Sequence, residues 1–164
     1  MVEKAKLSEL QIVQNPSLGS YLIWQYGLAF QEEESHRSSF LLAFLVLPLV
    51  LHKPTADLIV STRKSSGLAL FAAKLGSQYE DLIAVQHRAL LLRDLSLRSI
   101  GIAASAGLVT IDYHGGFIRS NSPPKKPPIL PERIRAMPAA AQKLGSWFSR
   151  MSVHQIASTL RVQF

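Results

Sequence analysis

The side chains best suited to moving protons or holding a metal are five histidines: His36, His52, His87, His114 and His154. They are scattered, and no two stand at the spacing that brings a pair of ligands together locally. Each reads as a structural or surface histidine. Glu32, Glu33 and Glu34 form an acidic run, which reads as a solvated turn before it reads as a cation site. There is no cysteine, which excludes a disulfide framework, a Cys-ligated zinc site, an iron–sulfur cluster and a cysteine nucleophile. No Gly-x-x-x-x-Gly-Lys-Ser/Thr loop is present to cradle a triphosphate, no Gly-x-Ser-x-Gly elbow, and no His-Glu-x-x-His pair. The sequence points to a protein that is not an enzyme and carries neither cofactor nor metal.

The other available chemistry is cationic. The 164 residues carry a net charge of +7, although only 18% are charged and 48% are hydrophobic. Residues 1–81 hold seven Lys/Arg against eight Asp/Glu, whereas residues 82–164 hold eleven against three. The whole net positive charge therefore belongs to the second half, and Asp94, Asp112 and Glu132 are too few there for two-metal phosphodiester chemistry. Such asymmetry suits nucleic acid or an acidic protein surface.

These side chains must be positioned by helices for the most part. Asn15-Pro16 suits a helix start, an Asn cap followed by Pro at the first helical position. Residues 40–51 form an apolar run of twelve, too short for a bilayer span of about 20 and therefore a buried core helix that Pro48 kinks or ends. Ser38-Ser39 is expected to cap it, and Thr55 to cap a short helix at 56–61. A helix at 67–75 should end at Gly76. Ser77 and Glu80 match a capping box opening a helix at 77–92, with Tyr79, Leu82, Ile83, Gln86 and Leu90 on one face. Ser96 would cap a helix at 97–106 whose small residues, Gly101, Ala103, Ala104 and Ala106, permit close packing. Gly107 ends it. The period then changes from 3.6 to 2, and Tyr113-His114-Gly115-Gly116 is the turn of a β-hairpin over 108–120. The stretch 121–131, with five prolines, is either a stiff linker or a basic strap. Helices at 139–151, after an interruption at Pro138, and at 153–160, opened by a Ser152–Gln155 capping box, complete the chain. Residues 161–164 suit a terminal strand or an anchoring tail. The N-terminus lacks an apolar leader, so neither secretion nor a membrane is expected, and the cytoplasm is.

The expected fold is mainly α with a small β-hairpin, a winged-helix-like helical domain. It divides into a helical core ending in the hairpin (1–120), a Pro-rich basic linker (121–131) and C-terminal helices packing on the core or on a partner (132–164). In such an arrangement the helix at 97–106 would face a DNA major groove. It carries Arg98 and little else able to read base edges. Sequence-independent phosphate contact is the better reading, through Arg93, Arg98, Arg119, Lys125, Lys126, Arg133 and Arg135. Leu144, Trp147 and Phe148 on one helix face, together with Phe164, are the expected partner interface. A free-standing winged-helix transcription regulator remains the competing reading.

Several stretches together carry a resemblance: residues 14–24, 44–55, 65–68, 88–90, 107–110, 143–148 and 160–164. The most specific pieces are Asn15-Pro16, Leu47-Pro48-Leu49-Val50-Leu51-His52-Lys53-Pro54, and Lys143-Leu144-Gly145-Ser146-Trp147-Phe148. The chain resembles the middle component of bacterial three-component ABC systems. Ser65-Ser66-Gly67 departs slightly from the more usual Ser-Thr-Gly. The resemblance implies a small non-enzymatic subunit whose partners are an SMC/Rad50-like ATPase and an effector, often a nuclease, as in Lamassu-type anti-phage and anti-plasmid defence. It carries over no catalytic residue.

Overall fold

The computed structural model describes residues 14–32, 37–77, 79–122 and 128–164, without the side chains of Tyr79 and Glu80. Helix α1, Pro16–Glu32, begins as the sequence predicts: the Asn15 side-chain oxygen accepts from the Ser17 amide at 2.8 Å. Ser38–Ser39 forms a short strand, β1, rather than a cap, and α2 follows at Phe40–Val50. Neither serine caps α2, and the Phe40 amide donates to the Gly116 carbonyl at 2.8 Å. Pro48 lies in the last turn of α2, so the helix simply ends two residues later.

Helix α3, Lys53–Ser61, starts earlier than expected because Pro54 fits a first turn, leaving Thr55 buried inside it. A 3-10 turn at Lys64–Ser66 leads to α4, Gly67–Gly76, which continues through Gly76 to a cap at Ser77. Helix α5 is Tyr79–Leu91. The Ser77–Glu80 capping box falls partly outside the described residues. The buried side of α5 is set by Leu82 and Val85, whereas Ile83 and Leu90, expected on one face with Leu82, are exposed.

Helix α6, Arg93–Ser105, also starts earlier than the sequence suggests. Ser96 is not its cap but a buried residue whose hydroxyl has no hydrogen-bond partner among the described residues. Ala103 is the close-packing small residue, while Gly101 is exposed with open space around it. Gly107, at φ 74°, donates to Ala104 O at 3.1 Å, and Leu108 donates to Ala103 O at 2.9 Å, the paired bonds of a Schellman ending. The hairpin follows as predicted, β2 at Val109–Asp112 and β3 at Phe117–Ser120, antiparallel with Val109 opposite Ser120. Strand β1 adds to the free edge of β3, giving the order β1-β3-β2.

The prolines at 123, 124 and 127 and the polyproline character expected there fall outside the described residues. A 3-10 turn at Glu132–Ile134 precedes α7, Met137–Phe148, in which Pro138 occupies the first turn instead of interrupting. Helix α8, Val153–Leu160, opens with the expected Ser152–Gln155 capping box. The chain after it is not a strand. Arg161 takes a left-handed turn, Val162 is buried, and the Gln163 amide donates to Gln86 Oε1 at 2.9 Å.

The core is organised around α1, which packs on α7, α6, β3 and α2 and buries side chains around most of its circumference. Helix α7 lies closest, because Gly145 sits against the Tyr26 carbonyl and the Phe30 amide. Leu144, Trp147 and Phe148 are 0%, 1% and 0% exposed. The expectation that they form a partner interface is therefore corrected: they are core, where each such side chain contributes about 1.5–3 kcal/mol. Trp147 stacks on Phe71, and Phe148 meets Tyr26 edge-on. Among the described residues no single helix is long and apolar enough to cross a membrane, and α2 and α3 are bent by 103°.

A methyl group at Gly145 must press into the α1 backbone, which cannot yield as a side-chain end can. Gly145→Ala should destabilise by about 3 kcal/mol or more. Gly101→Ala, in an exposed helical position, should stabilise by about 0.5–1 kcal/mol. Paired urea titrations measure both, and a neutral Gly145→Ala would contradict the close approach.

Candidate interaction site

Helix α6 divides the surface. Its inner positions are Leu95, Ser96, Ser99, Ile100 and Ala103. Arg98, Gly101, Ile102 and Ser105 look outward, and Arg93 and Leu97 share an adjacent edge one turn apart. At its end α6 feeds directly into the hairpin, where Arg119 is exposed on β3 opposite Thr110. Arg98 thus stands midway along α6 and Arg119 on β3, with β2 between these elements in the chain, whereas Arg93 lies at the far end of α6. Arg133 and Arg135 are exposed on the approach to α7. Lys125 and Lys126 fall outside the described residues.

The hairpin is held rigidly. The Asp112 carboxylate accepts from the amides of Gly115 at 2.9 Å and His114 at 3.1 Å, and from Arg37 Nη1 at 2.9 Å. The Gly115 amide, with those other donors, holds this carboxyl below the usual range. Arg37 also lies over the Phe117 ring at 5.0 Å. The tip therefore presents Tyr113, 86% exposed, on a fixed turn. Sequence reasoning counted Tyr113 only as a turn residue; its place beside Asp112 and two glycines was the available signal. Behind the hairpin, Gln31 acts as a backbone mimic: its Oε1 accepts from Ser120 N at 2.7 Å and its Nε2 donates to Ser120 O at 3.1 Å. An open polar cleft of about 440 Å³ lies there, with Arg119, Asn121 and Ser122 at its rim.

The opposite end of α6 borders an apolar groove of about 270 Å³ between α2, α5 and the tail. Leu41, Phe44, Ala89, Leu90, Arg93 and Phe164 line it. Of the expected interface residues, only Phe164 is on this surface. The sequence missed Leu41, hidden within an apolar run, and Leu90, grouped on one helix face with Leu82, which is buried. Arg88 fixes the groove walls, since its Nε donates to Pro48 O at 3.1 Å and its Nη2 to Thr55 Oγ1 at 3.3 Å. Thr55 Oγ1, already an acceptor, has its own hydrogen free for His52 Nδ1 at 2.7 Å. That arrangement uses a neutral imidazole. Burial and then the Arg88 charge lower the His52 pKa, against a smaller opposing effect of Asp81.

Among the described residues no group of three or more His, Cys, Asp or Glu converges on a metal position. The architecture defines a small, mainly helical protein whose prominent surfaces are a basic hairpin side and an apolar groove. Over residues 4–164 the chain matches the family model described as ABC-three component (ABC-3C) system Middle Component 3. It belongs to that family, and is a subunit of a multi-component system. No curated protein and no solved structure matches it.

The lowered His52 pKa fixes a pH dependence. The unfolded chain binds the His52 proton more readily than the folded one, so this contribution is complete above pH about 6.5 and is lost as pH falls below it. Melting temperature should drop between pH 7 and pH 5, and His52→Gln should flatten that slope. An unchanged slope would show that His52 does not couple to folding.

Proposed function

We propose that the chain is a non-enzymatic cytoplasmic adaptor that binds the head of an SMC/Rad50-like ATPase and positions or restrains an effector nuclease. Lamassu-type defence is the setting this reading fits. The carrying observation is that α6, about 20 Å long, borders an apolar groove at one end and a basic hairpin at the other. An adaptor needs two unlike surfaces held at fixed separation. The side carrying Arg98 and Arg119 is suited to double-stranded DNA without base reading, and the Lys125–Lys126 pair in the sequence adds to the cations available. A winged-helix reading of α5, α6, β2 and β3 gains support from β1, which completes a three-stranded sheet. The competing reading, a free-standing regulator, is disfavoured by the outward face of α6. There Gly101, Ile102 and Ser105 accompany Arg98, and no Asn or Gln is available for bases.

Co-purification with the ATPase and effector components tests the adaptor role; a stable homodimer that ignores both and prefers one palindrome would favour the regulator. DNA retention by the complex should fall steeply with salt. Arg98→Glu and Arg119→Glu should each lower the slope of log affinity against log salt by about 1. Adding Lys125→Glu and Lys126→Glu should abolish retention. Unaltered salt dependence in all four variants would remove DNA from the proposal.

A further inference from the structure

Isolated exposed leucines are ordinary on a protein surface, but large apolar side chains gathered around one concavity mark a binding surface. Leu41, Leu90 and Phe164 are 44%, 62% and 52% exposed and line the same groove. Its walls do not have to form on binding. Arg88 ties α5 to the end of α2 and the start of α3, and Gln86 holds the tail through the Gln163 amide. The groove therefore avoids much of the ordering cost of association.

Arg93 supplies the charge at this site. It is exposed at the mouth of the groove and has no ion-pair partner among the described residues. A charged rim beside an apolar floor selects an occupant that pairs apolar anchors with a carboxylate. An added β-strand does not suit the groove, because α2 and α5 form its walls and the tail amide of Gln163 is already bonded. A second copy of this chain suits it poorly, since that copy brings a net charge of +7. An amphipathic helix supplies anchors three and four residues apart with an acidic residue at their flank.

Resting on the adaptor reading, we propose that the groove between α2, α5 and the tail docks an amphipathic, acidic-flanked helix of another component of the same system, with Arg93 pairing its carboxylate. The test uses the full chain reconstituted with the purified ATPase and effector components. A photo-crosslinking benzoylphenylalanine is placed at Leu90, and at Leu70 on α4 as the control. The expected crosslink from position 90 maps to a partner helix with apolar residues at that spacing beside Asp or Glu. Leu90→Glu should weaken assembly at least tenfold with an unchanged melting temperature. Arg93→Glu should weaken it at low salt and much less at high salt. Crosslinks joining two copies of this chain would overturn the proposal in favour of self-association. Intact assembly of Leu90→Glu, or crosslinks to a partner segment without acidic residues, would overturn it while leaving the adaptor reading standing. If the unaltered chain assembles with neither component, the adaptor reading fails and this inference fails with it.

Discussion

The close approach of α7 to α1 at Gly145 is the constraint on which the remaining structure depends. Two helices ordinarily pack 8–10 Å apart, at a distance set by the side chains between them. Here a glycine lets one helix rest against the Tyr26 carbonyl of the other. Gly19 likewise leaves room for the Ser99 side chain of α6, and Gly27 for the Ser120 side chain of β3. With three neighbours drawn in so tightly, α1 has little room for a polar face. Its buried set runs almost without interruption from Leu18 to Phe30, and Tyr26 is held in full burial, where desolvation pushes its pKa up. A hydroxyl in that position needs a partner, and Ser38 Oγ provides it at 2.8 Å. That bond draws β1 to the core.

The short helices around this centre are fixed by side chains that reach across the fold to main-chain carbonyls. Lys143 Nζ donates to Val60 O at 2.7 Å and Thr62 O at 2.8 Å, and Trp147 Nε1 donates to Lys64 O at 2.9 Å. Successive alternate carbonyls of the α3–α4 connection are thereby read from one face of α7. The first pair also places a cation against the negative end of α3. Arg88 does the same for the end of α2, and Trp24 Nε1 holds Asn121 O at 3.0 Å beside the hairpin. Helix ends leave carbonyls unsatisfied. At the ends of α2 and α3 such carbonyls are met by side chains 40 and 83 positions away, which couples element termini to tertiary packing.

That coupling explains what the sequence could and could not reveal. Features decided locally were legible: the Asn15-Pro16 start, the Gly107 stop, the hairpin and the Ser152–Gln155 box all close within a few residues. The two-residue strand β1 was not, because its partner lies about 80 residues away and serine has no strand signature. The early start of α6 was hidden because Ser96 looks like a cap yet is buried against the core. Leu144, Trp147 and Phe148 showed the amphipathic stripe correctly, but a stripe says only that something covers it. The covering surfaces are α1 and, for Trp147, Phe71 of α4, all in the same chain rather than in a partner. The groove was illegible for the converse reason. Leu41 and Leu90 sit in sequence contexts that read as interior, and only the packing of α2 against α5 leaves them at the surface.

The basic second half is divided by the same internal bonding. Its charge suggested a broad cationic surface, but much of it is engaged within the molecule. Arg88 and Lys143 bond carbonyls inside the fold, and burial lowers the Lys143 pKa. Arg133, Arg150 and Arg161 each have an interaction of their own. Among the described residues of this second half the cations left to meet a partner are Arg93, Arg98, Arg119 and Arg135. They are not one patch: Arg93 flanks an apolar groove, Arg98 stands on the outward face of α6, and Arg119 is on the hairpin. A uniformly basic face would serve one kind of acidic ligand. A few separated cations, each in a different setting, suit a small subunit that must hold two different neighbours at once.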